Sequence, residues 1–403
     1  MIGVAPGAGP FAEPPVTYRV VTETAELSAL VARNLGVEVY ALDTEFHREK
    51  TYFPQVALVQ LAVGEDLALI DPLSVDLRAL VPLLEGHGTA VVHAGTQDLE
   101  VLELESGTVP SRLFDTQIAA GFLGLPSASL ATLLERELSV TLTKGDRLTD
   151  WLRRPLTEQQ LDYAAADVRH LRALADRLRR RLDRRGRLAW VEDECEVLRT
   201  RPRNRKIPED AVLRVKDARR LKGTAARVAT ALAAWRERRA VALNLPVRHV
   251  LSDLALVAIA QHQPATPEDL DQIRGVDRRH LKGDAVREIL TAVQLGLRLQ
   301  EPAGYAAPRT PDLPPPLKPV VTLVTSWVGQ LARDHRIDPA ILATRSDVEG
   351  LLRGDGDNRL LTGWRAELVG GPIRRLVAGE AALAFDGDGR LVLEQRSRRP
   401  VQE

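Results

Sequence analysis

At 403 residues the chain exceeds the roughly 100 to 200 residues of one ordinary domain, so several cores are expected. Lys plus Arg and Asp plus Glu both number 55, which excludes a global basic charge and leaves any charged partner to a local patch. With 44% hydrophobic residues wholesale disorder is excluded, and the single cysteine, Cys195, excludes an internal disulfide framework or a Cys-rich zinc module. One thiol suits a reducing, cytoplasmic setting. Met1 to Pro15 has no basic residue and is broken by Pro6, Pro10, Pro14 and Pro15, unlike a signal peptide. No run of about 18 apolar residues predicts a membrane span.

From Tyr18 to Leu125 short β-type runs alternate with helical periods. Glu23–Arg33 reads as a helix and Val37–Leu42 as a strand. Val56–Val63 and Leu67–Ile70 read as strands joined in a hairpin around Gly64-Glu65-Asp66. Asp76–Leu84 is helical, Ala90–Val92 a short buried strand, and Thr96–Glu105, Thr116–Phe122 and Leu130–Leu138 are helices. Strand-helix alternation after a hairpin predicts an α/β domain, a mixed sheet with helices on its faces. From Thr157 the chain turns helical, and Leu161, Val168, Leu171, Leu174, Leu178 and Leu182 make one apolar stripe along Glu158–Arg185. Nine arginines lie between Arg169 and Arg187, either a nucleic-acid channel or a solvated helix face. A charged linker through Pro202 sets a boundary near Ile207, so the first domain spans residues 16–206. Residues 207–299 read as an all-α module, 300–319 as a Pro-rich extended linker, and 320–403 as a mostly helical domain ending in a hairpin around Asp386-Gly387-Asp388-Gly389.

Three separated fragments of the first domain carry candidate chemistry. In Ala41-Leu42-Asp43-Thr44-Glu45 two acids two residues apart end an apolar strand, so both point to one face. In His93-Ala94-Gly95-Thr96-Gln97-Asp98 a strand end passes through a glycine turn into a helix whose first turn bears Asp98. In Leu161-Asp162-Tyr163-Ala164-Ala165-Ala166-Asp167, Tyr163 and Asp167 lie one turn apart on one helical face. Taken singly, these read as a solvated edge, a first-turn acid at a helix dipole and a packed aromatic. Taken together, converging carboxylates make physical sense around hard divalent cations, Mg²⁺ or Mn²⁺, and two such ions about 3.5 to 4 Å apart can clamp an in-line displacement at phosphorus. A phosphodiester hydrolase is the reaction class that follows.

The order of these fragments resembles the DEDD superfamily of 3′-5′ exonucleases, and Tyr163 four residues before Asp167 is similar to its DEDDy branch. The histidine-bearing branch would place its His where this chain has Asp162. Within the branch, Leu42-Asp43-Thr44-Glu45-Phe46, Thr51-Tyr52-Phe53-Pro54-Gln55, His93 to Leu99, Phe114-Asp115-Thr116, Asp150 to Leu156 and Tyr163 to Val168 resemble the ribonuclease D family over about residues 16–199. The resemblance implies a ribonuclease H-like sheet and a 3′-5′ exoribonuclease releasing nucleoside 5′-monophosphates. It implies that Asp43, Glu45, Asp98 and Asp167 hold two metal ions with Asp43 bridging, and that Tyr163 handles the attacking water. Thr44, Phe46, His93 and Lys144 would contact substrate, Phe46 by stacking on the terminal base. His47, Glu49 and Lys50 depart from the Val-Arg-Thr-Arg-like run that follows the first motif in the family.

Residues 210–299 resemble an HRDC domain through Leu221, Leu232, Trp235-Arg236, Leu251-Ser252-Asp253, Leu270 and Ile273-Arg274-Gly275, and Trp364-Arg365 echoes the Trp235-Arg236 pair. Such modules imply contact with the phosphate backbone of RNA, with tRNA precursors the implied substrate. No Gly-Lys dipeptide occurs, so no P-loop and no ATP are expected. Two rival readings stay open: an exonuclease preferring DNA 3′ ends, and a nucleic-acid-binding adaptor without chemistry. The sequence leaves oligomeric state open.

Overall fold

The computed structural model describes residues 17–142, 149–203, 207–276, 283–300 and 313–397. By its contacts the chain divides into two compact units, residues up to 46 with 56–201, and residues 47–55 with those from 202 onward.

The first unit is built on a six-stranded sheet of order β1-β4-β3-β2-β5-β6. Its strands are β1 (Arg19–Val21), β2 (Val39–His47), β3 (Gln55–Val63), β4 (Asp66–Ile70), β5 (Thr89–Val92) and β6 (Arg112–Asp115). β3 and β4 form the expected antiparallel hairpin, with Val63 opposite Asp66. Gly64 at φ 54° makes its turn, and a Cβ there would stand 2.6 Å from Asn34 Oδ1. β1 runs parallel to β4, while β2, β5 and β6 are mutually parallel. β3 is buried along nearly all its length, as expected of a strand covered on both faces. The two short strands β1 and β6 carry no alternation long enough to register as strands in the sequence.

Helices α1 (Thr24–Arg33), α2 (Val81–Leu84), α3 (Thr96–Ser106), α4 (Thr116–Gly121) and α5 (Leu130–Leu138) match the expected segments within a few residues, the start of the second being a 3-10 turn at Leu77–Leu80. The long apolar stripe is not one helix. It divides into α6 (Glu158–Arg169) and α7 (Leu171–Asp183) at His170, whose φ of −104° and ψ of −2° break the ladder. A further helix, α8 (Leu188–Thr200), completes the unit and presents Cys195 to Asp115 on β6.

The arginines from 169 to 187 are largely engaged within this unit. Arg181 pairs with Glu137, Arg180 with Asp176 at 2.7 Å, and Arg187 donates to the Phe122 carbonyl at 2.8 Å. Arg179 stacks over the Phe114 ring at 4.3 Å. Packing thus accounts for much of the stripe.

The second unit holds two helical modules. The first comprises α9 (Gly223–Leu243), α10 (Val247–Val250), α11 (Asp253–His262), α12 (Pro267–Asp271) and α13 (Ala285–Arg298), around a core that includes Val228, Leu232, Leu256, Ile259, Leu270, Ile289 and Val293. The second runs through α14 (Lys318–His335), α15 (Pro339–Leu342), α16 (Arg345–Arg353), α17 (Gly363–Arg365) and α18 (Gly371–Val377), and ends in the antiparallel hairpin β7 (Ala381–Phe385) and β8 (Leu391–Gln395).

The two modules repeat one local design at a constant offset in residue number. Asn244 and Arg336 cap α9 and α14 in left-handed backbone, at φ 48° and 50°. Leu245 N–H donates to the Ala240 carbonyl and Ile337 N–H to that of Ala332, both at 3.0 Å. Four-residue helices follow, then extended Leu251 and Ala343 at φ −158° and −161°, then Ser252 and Thr344 as N-caps. In this register the counterpart of Trp235 is Trp327, and the Trp364 echo lies outside it.

Candidate active site

The sheet prepares the site by letting one strand outrun its neighbour. β2 pairs with β5 only from Val39 to Ala41, opposite Thr89 to Val91. Beyond that point the backbone of β2 needs another partner. Thr44 N–H donates to Asp98 Oδ1 at 3.1 Å and Thr44 Oγ1 donates to the same oxygen at 2.5 Å. The side chain of Thr44 is buried in this contact. Asp98 is thereby locked against the strand that carries Asp43 and Glu45, at the carboxyl end of parallel strands where open α/β sheets place their ligands.

Asp98 arrives on α3 through the turn His93-Ala94-Gly95. Ala94 has φ 57°, and a Cβ on Gly95 would stand 2.6 Å from Val92 Cγ2. Asp115 holds the turn: its carboxylate accepts Ala94 N–H at 3.1 Å and Gly95 N–H at 2.9 Å, while capping α4 through Gln117 N–H at 2.7 Å. Sequence reading left Asp115 without a role, although an Asp at a strand end before a helix is a capping signal. His93 Nδ1 lies 2.9 Å from Thr116 Oγ1, which itself donates to the Val92 carbonyl. Burial lowers its pKa despite the neighbouring Asp115 carboxylate, favouring neutral imidazole.

Asp167 and Tyr163 arrive on α6. Thr157 and Gln160 form a capping box at its start. The preceding loop is tied to the sheet by Arg154, which donates to both oxygens of Asp71 at 2.6 and 2.7 Å, to the Ala57 carbonyl at 2.7 Å and to that of Trp151 at 2.7 Å. Burial pushes the Asp71 carboxyl up, but the hydrogen bonds from Arg154 prevail and hold it below its usual value. Trp151 packs on Tyr163 with ring centroids 6.0 Å apart, in a cluster with Leu58, Leu69, Ala164 and Ala165. Asp162, one residue before Tyr163, hydrogen-bonds Tyr18, whose phenol is pushed up to about 12 by burial and by this carboxylate.

The carboxylates act on one another. Burial raises Asp43 well above its usual value, and the charges of Asp98, Asp167 and Glu45 raise it further; only the Thr44 backbone N–H opposes them. Glu45 is raised to about 8 by burial and then by Asp167 and Asp98. Burial lifts Asp98 to about 6 against the hydrogen bonds from Thr44. Asp43 and Glu45 thus feel the charges of both Asp98 and Asp167, and hard oxygen donors of this kind suit a divalent cation. Among the described residues no group of three or more His, Cys, Asp or Glu is set closely enough to hold a metal ion as it stands. Phe46 follows Glu45 on β2, and Lys144 lies outside the described residues.

Comparison with known proteins agrees with this architecture. The 3′-5′ exonuclease family profile matches residues 18–183 and the HRDC domain profile matches residues 225–293. The fold and the match together define a 3′-5′ exonuclease with an appended helical module, and the exonuclease family of this type is divalent-metal dependent. The chain is 37% identical to ribonuclease D of Acidiphilium cryptum, an alignment covering 91% of this chain and 95% of the relative. It is also 37% identical to ribonuclease D of Nitrobacter hamburgensis over 94% of this chain and 100% of the relative. The crystal structure of Escherichia coli RNase D, an exoribonuclease involved in structured RNA processing, superposes with a TM-score of 0.79 at 33% identity, covering 90% of this chain and 99% of that one. The chain belongs to the ribonuclease D family. Among the described residues, no helix is long and apolar enough to cross a membrane.

Proposed function

We propose that the chain is a metal-dependent 3′-5′ exoribonuclease that trims the 3′ ends of structured RNA, tRNA precursors among them, to nucleoside 5′-monophosphates. One observation carries the reading: Thr44 locks the Asp98 carboxylate against the strand that bears Asp43 and Glu45, and the charges of Asp98 and Asp167, from α3 and α6, reach both of those acids. Asp43, Glu45, Asp98 and Asp167 would hold two divalent cations, Mg²⁺ or Mn²⁺. Bound there, such ions supply an acidified water and neutralise charge at the scissile phosphate.

The remaining work falls to the chain itself. Thr44 fixes the Asp98 carboxylate by two hydrogen bonds, so one ligand oxygen is preset before substrate enters. Tyr163 Oη, one helical turn from Asp167, orients the attacking water and takes part in moving its proton. Phe46 stacks on the terminal base without regard to its identity. The helical modules, the second a divergent copy of the first by its repeated capping pattern, hold the phosphate backbone of the remaining strand.

The test is a time course on 5′-labelled RNA with a single-stranded 3′ tail, with Mg²⁺, Mn²⁺ or chelator, beside a DNA strand of the same sequence. The expected result is a ladder shortening from the 3′ end of RNA only when metal is present. Faster degradation of DNA would overturn the RNA assignment, and unchanged RNA despite binding would leave an adaptor.

A further inference from the structure

The segment between β2 and β3, residues 47–55, belongs by its contacts to the helical unit. Asn244, the left-handed residue that caps α9, accepts the backbone N–H groups of Tyr52 and Phe53 on its Oδ1, each at 3.1 Å. Tyr52 O–H donates to Glu237, whose other carboxylate oxygen lies 3.0 Å from Arg214. The Tyr52 ring packs against the core of the first module. Burial and the Glu237 carboxylate both raise the phenol's pKa, so it stays a donor at any physiological pH. Glu237 is 3% exposed, and a carboxylate so deeply placed depends on each of its donors.

The second module shows what these residues are not needed for. At the positions matching Glu237 and Asn244 it has Gly329 and Arg336. Arg336 nevertheless adopts the same left-handed backbone, and the same turn and four-residue helix follow. The helix and its cap form without the carboxylate or the amide. What Glu237 and Asn244 add in the first module is the hold on residues 47–55.

That segment leaves β2 two residues after Glu45. We propose that Tyr52, Glu237 and Asn244 form a strap by which the first helical module positions the end of β2, so that the module takes part in turnover as well as in gripping the phosphate backbone. Tyr52 is a positioning residue in this scheme. The proposal rests on the reading of Asp43 and Glu45 as the catalytic pair.

The experiment compares the full-length chain with Asn244→Arg, which installs the residue the second module carries at this turn, and with Tyr52→Phe. Backbone hydrogen exchange across residues 47–55 gives a readout independent of activity. Loss of the strap is expected to speed that exchange by about tenfold. Steady-state kinetics on a short single-stranded RNA and on a long tailed RNA are expected to show kcat falling by about five- to tenfold on both, with KM within about twofold, because misplacement acts on the reacting geometry. Unchanged exchange would overturn the strap, and faster exchange with unchanged kcat would overturn its link to turnover. A loss confined to KM of the long RNA would overturn it too, leaving the module as a grip alone. A wild type that shortens neither RNA would instead overturn the enzymatic reading, with the exchange data still reporting on the strap separately.

Discussion

Asp43 differs from an ordinary surface acid through burial and the nearby charges of Asp98, Asp167 and Glu45, and on the proposed reading removing its charge is expected to change both metal affinity and the field at the reacting phosphate. Asp43→Asn is expected to lower kcat by at least about 10²-fold while RNA binding in a filter assay stays within about threefold, because phosphate contacts elsewhere dominate affinity. Tyr163→Phe keeps the ring on Trp151 and loses only the hydroxyl. It should slow hydrolysis by about 10- to 10²-fold with metal occupancy, read by isothermal titration, unchanged. The raised acids also set a pH dependence. Glu45 at about 8 and Asp98 at about 6 bind protons more tightly in the folded chain than in the unfolded one. Metal-free protein therefore loses stability as pH rises from the ordinary carboxylate range through these values. A divalent cation should raise the thermal midpoint more at pH 8 than at pH 5.5; an equal gain at both would contradict the assignment of these acids as ligands.

At the scale of elements, the site depends on loops tied to the sheet by single side chains. Arg154 connects the loop before α6 to Asp71 at the end of β4 and to the Ala57 carbonyl on β3. Arg154→Ala leaves Asp71, 8% exposed, short of its main donor, and is expected to cost about 2 to 3 kcal/mol in urea unfolding, a figure reduced for the partial exposure of Arg154. Activity should fall alongside, since α6 carries Tyr163 and Asp167. The elements themselves were largely legible: the hairpin at Gly64, the helix at Thr96 and the terminal hairpin at Asp386 follow from alternation and turn chemistry. β1 and β6 were not, because three or four residues hold too few repeats to show a period. The break at His170 escaped detection because the apolar stripe runs through both helices without interruption.

For the whole molecule, balanced charge means that RNA must be met by local basic surface. Affinity for a single-stranded tail is expected to fall about tenfold or more between 50 and 200 mM salt, while kcat at saturating RNA changes by less than about twofold. A salt effect of equal size on kcat would place the screened contacts at the reacting phosphate. The repeated cap, turn and short helix in the two modules argue for one design used twice, with Glu237 and Asn244 distinguishing the first. Their contacts to Tyr52 across 185 and 192 positions join a sheet connection to a helical module, which no local pattern foretells.

What the sequence by itself determined is what covalent neighbours set. Two acids at period two share a strand face, Tyr163 and Asp167 at a spacing of four share a helix face, and the order of the three fragments identifies the exonuclease type. What only the tertiary structure decided are the partners of those groups. Thr44 reaches Asp98 over 54 residues, Arg154 reaches Asp71 over 83, and Cys195 meets the Asp115 backbone over 80. Hydrogen bonds are directional and short, so each such pair exists only once packing has brought distant segments to within about 3 Å, and periodicity carries no record of it.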